Sequence, residues 1–192
     1  GSVGSAVATA VANTGLAHEV VLFDRDGVRA RAAAEDLGHA AAFSYDVKIS
    51  AVSNYRGIRG CEMVIIAAGA NQKPGQTRTD LLRANADVIS DIVPRVMANV
   101  DQKTVKLIIV TNPLDVMVML AQKLSKLPAS RVIGTGTMLD SARLRFTSRT
   151  SRRSFAILTS FLFFVSALWF LPLCERFTLP EPVSQKRFFV LL

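Results

Sequence analysis

The sequence predicts an α/β fold, a doubly wound and mostly parallel sheet covered by helices on both faces. Three observations carry that prediction. Short, near-continuous apolar runs such as Met63 to Ala68 (MVIIAA) have the composition of strands buried on both faces. Longer amphipathic stretches separate these runs, so strands and helices alternate along the chain. With 192 residues and 50% hydrophobic content there is material for one ordinary core, and too much for a disordered chain.

The elements follow in order. Ser2 to Thr14 is rich in Ala and Val and ends at Gly15, which predicts a buried helix closed by a glycine. Glu19 to Phe23 (EVVLF) reads as a strand ending at Asp24. Val28 to Leu37 reads as a helix stopped by Gly38. The strand at Met63 to Ala68 runs into a polar Gly/Pro-containing loop, Gly69 to Arg78, and Thr79 to Val100 reads as a long helix. Val105 to Val110 is a second buried strand. Asn112-Pro113 then opens a helix around Val116 to Leu124. Val132 to Gly134 is a short strand, and Met138 to Phe146 begins a further helix.

Composition changes at Phe146. Three of the eleven phenylalanines lie in residues 1–146 and eight lie after them, with the single Trp, Trp169. We therefore divide the chain into residues 1–146 and a tail of different origin, residues 147–192. Half of the net charge of +8 falls in that tail, which argues against nucleic acid as a partner of the first part. In the tail, Arg149, Arg152 and Arg153 precede an uncharged run whose core, Phe155 to Leu173, would span roughly 28 Å as a helix, close to a bilayer's apolar thickness. Three readings stay open. The tail is a membrane anchor with its arginines on the cytoplasmic side, a translation of a shifted frame or retained intron, or a soluble buried helix. Cys61 and Cys174 lie far apart in unlike contexts, which is no disulfide framework and suits a reducing, cytoplasmic compartment. Cys61, beside a buried strand, reads as a small core residue. No secretory leader opens the sequence, and no metal site is expected.

Gly1-Ser2-Val3-Gly4 is the last four positions of a GxGxxG phosphate loop, where glycines let the backbone and a helix N-terminus approach a pyrophosphate. The competing reading of this glycine pair is simple packing. Asp24 ends the next strand 20 residues after Gly4, a spacing that suits a carboxylate binding ribose hydroxyls and repelling a 2′-phosphate. The alternative for Asp24 is a helix cap.

Three later segments occur in order. Ala68-Gly69-Ala70-Asn71-Gln72-Lys73-Pro74-Gly75-Gln76-Thr77-Arg78 resembles the mobile active-site loop of L-lactate dehydrogenases. Val110-Thr111-Asn112-Pro113-Leu114-Asp115 is similar to that family's cofactor and substrate strand end. Gly134-Thr135-Gly136-Thr137-Met138-Leu139-Asp140-Ser141-Ala142-Arg143 is similar to the start of its substrate-binding helix. On these motifs residues 1–146 resemble the lactate/malate dehydrogenase family, with its Rossmann domain, NAD as cofactor, and small 2-hydroxy acids as substrates.

The resemblance implies roles residue by residue. Arg143 grips the substrate carboxylate with its planar fork. Arg78 polarises the ketone and stabilises charge developing on its oxygen, and Asn112 hydrogen-bonds the same oxygen. Asp140 orients a catalytic histidine. Gly1, Val3, Gly4, Asp24, Arg29, Tyr55, Gly69, Ala70, Val110, Thr111 and Asn112 line the cofactor. Each of these has a blander reading, a solvated arginine or a helix cap, that the surrounding motifs outweigh for Arg78 and Arg143 more than for Arg29 and Tyr55. Gln72 suits the methyl group of pyruvate, whereas a malate dehydrogenase is expected to place Arg there for a second carboxylate. The expectation is an L-lactate dehydrogenase-type oxidoreductase, with malate dehydrogenase, or a catalytically dead NAD-binding or membrane-tethered protein, as alternatives. A homo-oligomer is implied by the resemblance.

The family's proton donor is a His in a Gly-Glu-His-Gly-Asp segment. This sequence holds only His18 and His39, neither in that context, and both read as structural. Turnover by this chain is therefore not expected, a positioned acid being worth about 10²–10⁴ in rate. The strand before Gly1 also lies outside this sequence, and a protein that continues before Gly1 would restore it. In the strand order 3-2-1-4-5-6 that strand is central, so its neighbours are expected to face an open gap.

Overall fold

The computed structural model describes residues 1–41, 43, 45–72, 74–150 and 186–192. The chain forms two compact units, Gly1–Thr135 with Val183–Leu192, and Gly136–Pro182. The first unit is a six-stranded sheet flanked by helices. Its strands are β1 (Glu19–Phe23), β2 (Lys48–Ala51), β3 (Met63–Ile66), β4 (Lys106–Ile109), β5 (Val132–Gly134) and β6 (Arg187–Leu191). Its helices are α1 (Ser2–Asn13), α2 (Gly27–Ala41), α3 (Arg78–Met97) and α4 (Leu114–Ser125), and α5 (Met138–Thr150) lies in the second unit.

The strand order is β2-β1-β6-β3-β4-β5, and every pairing is parallel. The doubly wound architecture is thus as expected. The anticipated gap beside β1 and β3 is not. Arg187–Leu191, the end of the compositionally distinct tail, lies between them and pairs with both. Its apolar run satisfies the backbone groups that an open centre would leave without partners.

Two apolar layers sandwich the sheet. On one side α3 and α4 cover Val21, Val64, Ile66, Leu107, Ile109, Phe189 and Leu191. On the other, α1 and α2 contribute Ala8, Val11 and Ala34 over Val20, Leu22, Ile65, Phe188 and Val190. Alternation along each strand therefore supplies both layers, as a sheet covered on both faces requires.

Local chemistry sets most boundaries. Gly15 adopts φ +64° just after α1, a left-handed position that glycine tolerates. Thr77 caps α3 in a reciprocal box with Asp80, its Oγ1 accepting from Asp80 N–H at 3.1 Å while Asp80 Oδ2 accepts from Thr77 N–H at 3.2 Å. This cap brings Arg78 into the helix as its first residue. Gly38 does not stop α2, which runs on to Ala41. Its position is open, nothing lying within 4 Å of an added Cβ, and the alanines after it are strong helix formers that outweigh a glycine cost of about 1 kcal/mol. α5 continues past Phe146 to Thr150, so the change in composition falls inside a helix. β2 was not anticipated; it is the edge strand beside β1.

Among the described residues no helix is long and apolar enough to cross a membrane, and the expected apolar span, Phe155 to Leu173, lies outside them.

Cys61 is 1% exposed. Burial pushes its thiol up to about 11, with Arg187 lowering it and Glu19 raising it in lesser measure. At pH 8 only about one thiol in a thousand is then ionised. In a Cys174→Ser protein, a thiol reagent is expected to label Cys61 slowly until denaturant is added; fast labelling of the native protein would contradict this environment. The unfolded thiol ionises near its ordinary value, below the folded one. The unfolded state therefore binds fewer protons at alkaline pH, and this contribution to stability declines as pH rises from about 8.5 towards 11.

Candidate functional site

The carboxyl ends of β1, β6, β3 and β4 lie along one edge, and the chain winds in opposite directions on either side of the β6/β3 pair. Ligands of doubly wound folds sit in the crevice at such a reversal.

The first wall is the β6–α1–β1 corner. Gly1 is the N-cap of α1, and among the described residues no side chain caps it. The amino-terminal N–H groups of the helix are thus available to an anion. Gly4 is buried against the end of β6; a Cβ there would meet Leu192 Cα at 2.9 Å. Asp24, at the end of β1, is 9% exposed. Its Oδ1 accepts from Asp26 N–H at 3.0 Å, and its Oδ2 lies 3.5 Å from the Gly1 amine. The helix-cap reading of Asp24 falls to Asp26 instead, whose Oδ1 accepts from Val28 N–H (3.1 Å) and Arg29 N–H (3.3 Å). Asp24 is left as a mostly buried carboxylate beside an open helix end. Val3 and Arg29 are exposed in the first turns of α1 and α2.

Tyr55 begins a 3-10 turn, Tyr55–Ile58, and packs against Phe23 with ring centroids 4.7 Å apart and planes tilted by 40°. This places the half-buried ring beside the end of β1. Burial raises its phenol above the ordinary range, Asp91 adding to the rise and Arg95 opposing it, so it stays neutral.

The second wall joins the ends of β3 and β4. Thr111 is buried, and its Oγ1 donates to Ala68 O at 2.7 Å. Gly69 packs so closely that a Cβ would lie 2.7 Å from Thr111 Cγ2. Asn85, on α3, ties both segments together. Its Oδ1 accepts from Ala70 N–H at 2.6 Å, and its Nδ2 donates to Asn112 O at 2.6 Å. Asn112 itself is exposed, and Val110 is half-buried. Sequence reasoning missed Asn85. The available signal was an amide at a core position of an otherwise apolar helix face, between Leu82 and Ile89.

Gln72 and Arg78 are exposed, and Gln72 Nε2 donates to Gln76 O at 3.0 Å within the loop. Asp140 and Arg143 belong to the second unit. On α5 they pair with each other, Arg143 Nη1 lying 3.3 Å from Asp140 Oδ1. Both are exposed, so the pair contributes little stability and is readily exchanged for a ligand. His18 precedes β1, at the opposite end of that strand from Asp24, and its Nδ1 is buried without a hydrogen-bond partner among the described residues. His39 is exposed in the last turn of α2. Neither histidine stands at the strand ends that form the crevice.

A dinucleotide fits this arrangement on structural grounds: an uncapped helix end for a pyrophosphate, a glycine whose added Cβ would strike backbone, and a buried carboxylate at the end of the adjoining strand.

Comparison with known proteins agrees. Residues 1–134 match the lactate/malate dehydrogenase NAD-binding domain. The chain is 46% identical over 145 residues to an L-lactate dehydrogenase of Thermus aquaticus, covering 76% of this chain and 46% of that protein. It is 47% identical over 145 residues to a malate dehydrogenase of Nitratiruptor sp., covering 75% and 45%. Among solved structures it superposes on a lactate dehydrogenase from a Medee basin deep-sea metagenome library with TM-score 0.72 and 39% identity, covering 78% of this chain and 47% of that one. It superposes on the malate dehydrogenase of Aeropyrum pernix with TM-score 0.73 and 36% identity, covering 81% and 50%. The chain spans about half the length of the curated relatives it matches. This chain belongs to the lactate/malate dehydrogenase family and carries its NAD-binding domain.

Proposed function

We propose that this chain is the NAD-binding half of an L-lactate dehydrogenase, serving the interconversion of pyruvate and L-lactate. The observation that carries the cofactor part is Asp24, buried beside the uncapped amino end of α1 and relieved of capping by Asp26. Asp24 accepts hydrogen bonds from the adenosine ribose, and its charge disfavours a 2′-phosphate. Gly1, Val3 and Gly4 let the pyrophosphate approach the helix end. Arg29 and Tyr55 flank the adenosine side, and Gly69, Ala70, Val110, Thr111 and Asn112 line the nicotinamide side. Bound NAD supplies the two-electron acceptor or donor.

The protein's remaining work is placement and charge. Arg143 exchanges its surface pairing with Asp140 for the substrate carboxylate, which it can hold with two parallel hydrogen bonds. Arg78, the first residue of α3, and Asn112 donate to the substrate's carbonyl oxygen. Asp140 orients the catalytic histidine that the family resemblance implies. Gln72 provides no cation for a second carboxylate, which favours pyruvate. The 47% identity to a malate dehydrogenase supports oxaloacetate and malate as the second reading. The family resemblance supports a homo-oligomer. The unlike contexts of Cys61 and Cys174 support a cytoplasmic setting.

The test is a fluorescence titration with NADH and NADPH. NADH is expected to bind at least about tenfold more tightly, and Asp24→Asn to erase most of that preference, since hydrogen bonds to a charged group are worth about 1.5–3 kcal/mol. Equal affinities in the native chain would refute the role of Asp24. Joined to the substrate-side half of the Thermus aquaticus relative, and with peptide Lys186–Leu192 supplied to complete the sheet, residues 1–146 are expected to reduce pyruvate faster than oxaloacetate; the reverse order selects the malate reading.

A further inference from the structure

Between β1 and β3 the sheet leaves a slot one strand wide, and three features of it select an occupant. The first is backbone pairing on both edges. His18 N–H donates to Lys186 O (3.2 Å), Glu62 N–H to Arg187 O (3.0 Å) and Ala67 N–H to Leu191 O (3.1 Å), while Leu192 N–H donates to Phe23 O (2.8 Å). The second is apolar demand on both faces. Phe189 and Leu191 enter the α3/α4 layer, and Phe188, Val190 and Leu192 enter the α1/α2 layer, each 7% exposed or less.

The third feature is a charge at the amino end of the slot. Glu19, 9% exposed, stands in register with Arg187. Arg187 Nε lies 2.8 Å from Glu19 Oε2, and Nη2 donates to Oε1 at 3.3 Å. Nη1 donates to Arg59 O. Lys48, well exposed, adds a weaker contact to Glu19 at 3.6 Å. A one-residue slip would send Phe189 to the opposite layer and withdraw Arg187 from a buried carboxylate.

We propose that the β1/β3 slot is a strand-acceptor site. Its ligand is a short parallel strand with a basic residue at its amino end and apolar residues on both faces. Residues 186–192 of the same chain fill it, and the same segment offered as a separate peptide can replace them. This inference is independent of the cofactor reading, because its readout is stability and amide exchange and not NADH binding.

The experiment uses the full chain. Glu19→Arg and Arg187→Glu are each expected to lower the unfolding midpoint by roughly 10 °C. The double variant, which restores the pair in reverse, should recover most of that loss. In Phe189→Asp the chain's own strand is disabled. Hydrogen exchange at the amides of Glu62 and Ala67 should then accelerate by about a hundredfold or more. Added peptide Lys186–Leu192 should slow it again, and the same peptide carrying Arg187→Glu should not. Unchanged exchange in Phe189→Asp, or failure of the native peptide to protect a variant whose β4 and β5 remain folded, overturns the proposal. Should Phe189→Asp unfold the whole sheet, the reversed pair decides: recovery supports the slot and its absence overturns it. Protection in the native protein that rises with concentration would assign the occupant to a second copy and overturn the intrachain assignment.

Discussion

Asn85→Ala is expected to destabilise the domain by about 3 kcal/mol and to weaken NADH binding about tenfold. Asn85 is 2% exposed and holds two backbone groups far apart in sequence, Ala70 N–H and Asn112 C=O, each at 2.6 Å. Those groups begin the loops that leave β3 and β4, so one amide sets the spacing of the crevice wall. Alanine removes both partners and leaves a backbone donor and an acceptor without compensation, each costing about 1–3 kcal/mol if water cannot reach it. For a domain of this size the midpoint should fall by about 6–12 °C. Asn85→Asp isolates the two halves of the contact, since a carboxylate still accepts from Ala70 N–H and cannot donate to Asn112 O. Urea unfolding and NADH titration check both variants. An alanine variant within about 0.5 kcal/mol of the native chain would mean that the loops hold their spacing without Asn85.

Gly4→Val should cost about 1–3 kcal/mol of stability and lower NADH affinity by about tenfold or more. The cause is steric. An added Cβ lies 2.9 Å from both Cα and Cδ2 of Leu192 and 3.5 Å from Leu191 O. The Leu192 side chain can rotate away, but its Cα cannot, so the helix start or the strand end must shift. Either movement displaces the amino end of α1, which is proposed to face the pyrophosphate. Gly4→Ala should show the same defect in smaller measure, and thermal unfolding with NADH titration gives the order. A valine variant that binds NADH like the native chain would show that the corner has slack and that Gly4 is not part of the cradle.

Much of this was legible in the primary structure, for a common physical reason. The strands at β3 and β4 are short runs of adjacent apolar residues, and their burial on both faces follows from that composition. Glu19–Phe23 and Val132–Gly134 fall where the sequence places them. The glycines, Asp24 and the three motifs report local requirements, namely close backbone approach and carboxylate placement. Gly38 misled, because a glycine signal is weak where the helix is solvent-facing and alanines follow.

The rest depended on partners distant along the chain. β2, Lys48–Ala51, carries no strong alternation and exists through its register with β1. That Asp24 does not cap α2 required Asp26 to take the cap, a choice between two acids that sequence spacing leaves open. Asn85 gains its meaning from two loops that only folding brings to it. The Arg187–Leu191 segment shows the division most plainly. Its sequence supplies a cation followed by apolar residues, and sequence analysis predicts no strand there. That it lies between β1 and β3 was decided by tertiary structure, because the pairing edges, the two apolar layers and the buried Glu19 that select it come from segments that meet only in the folded sheet.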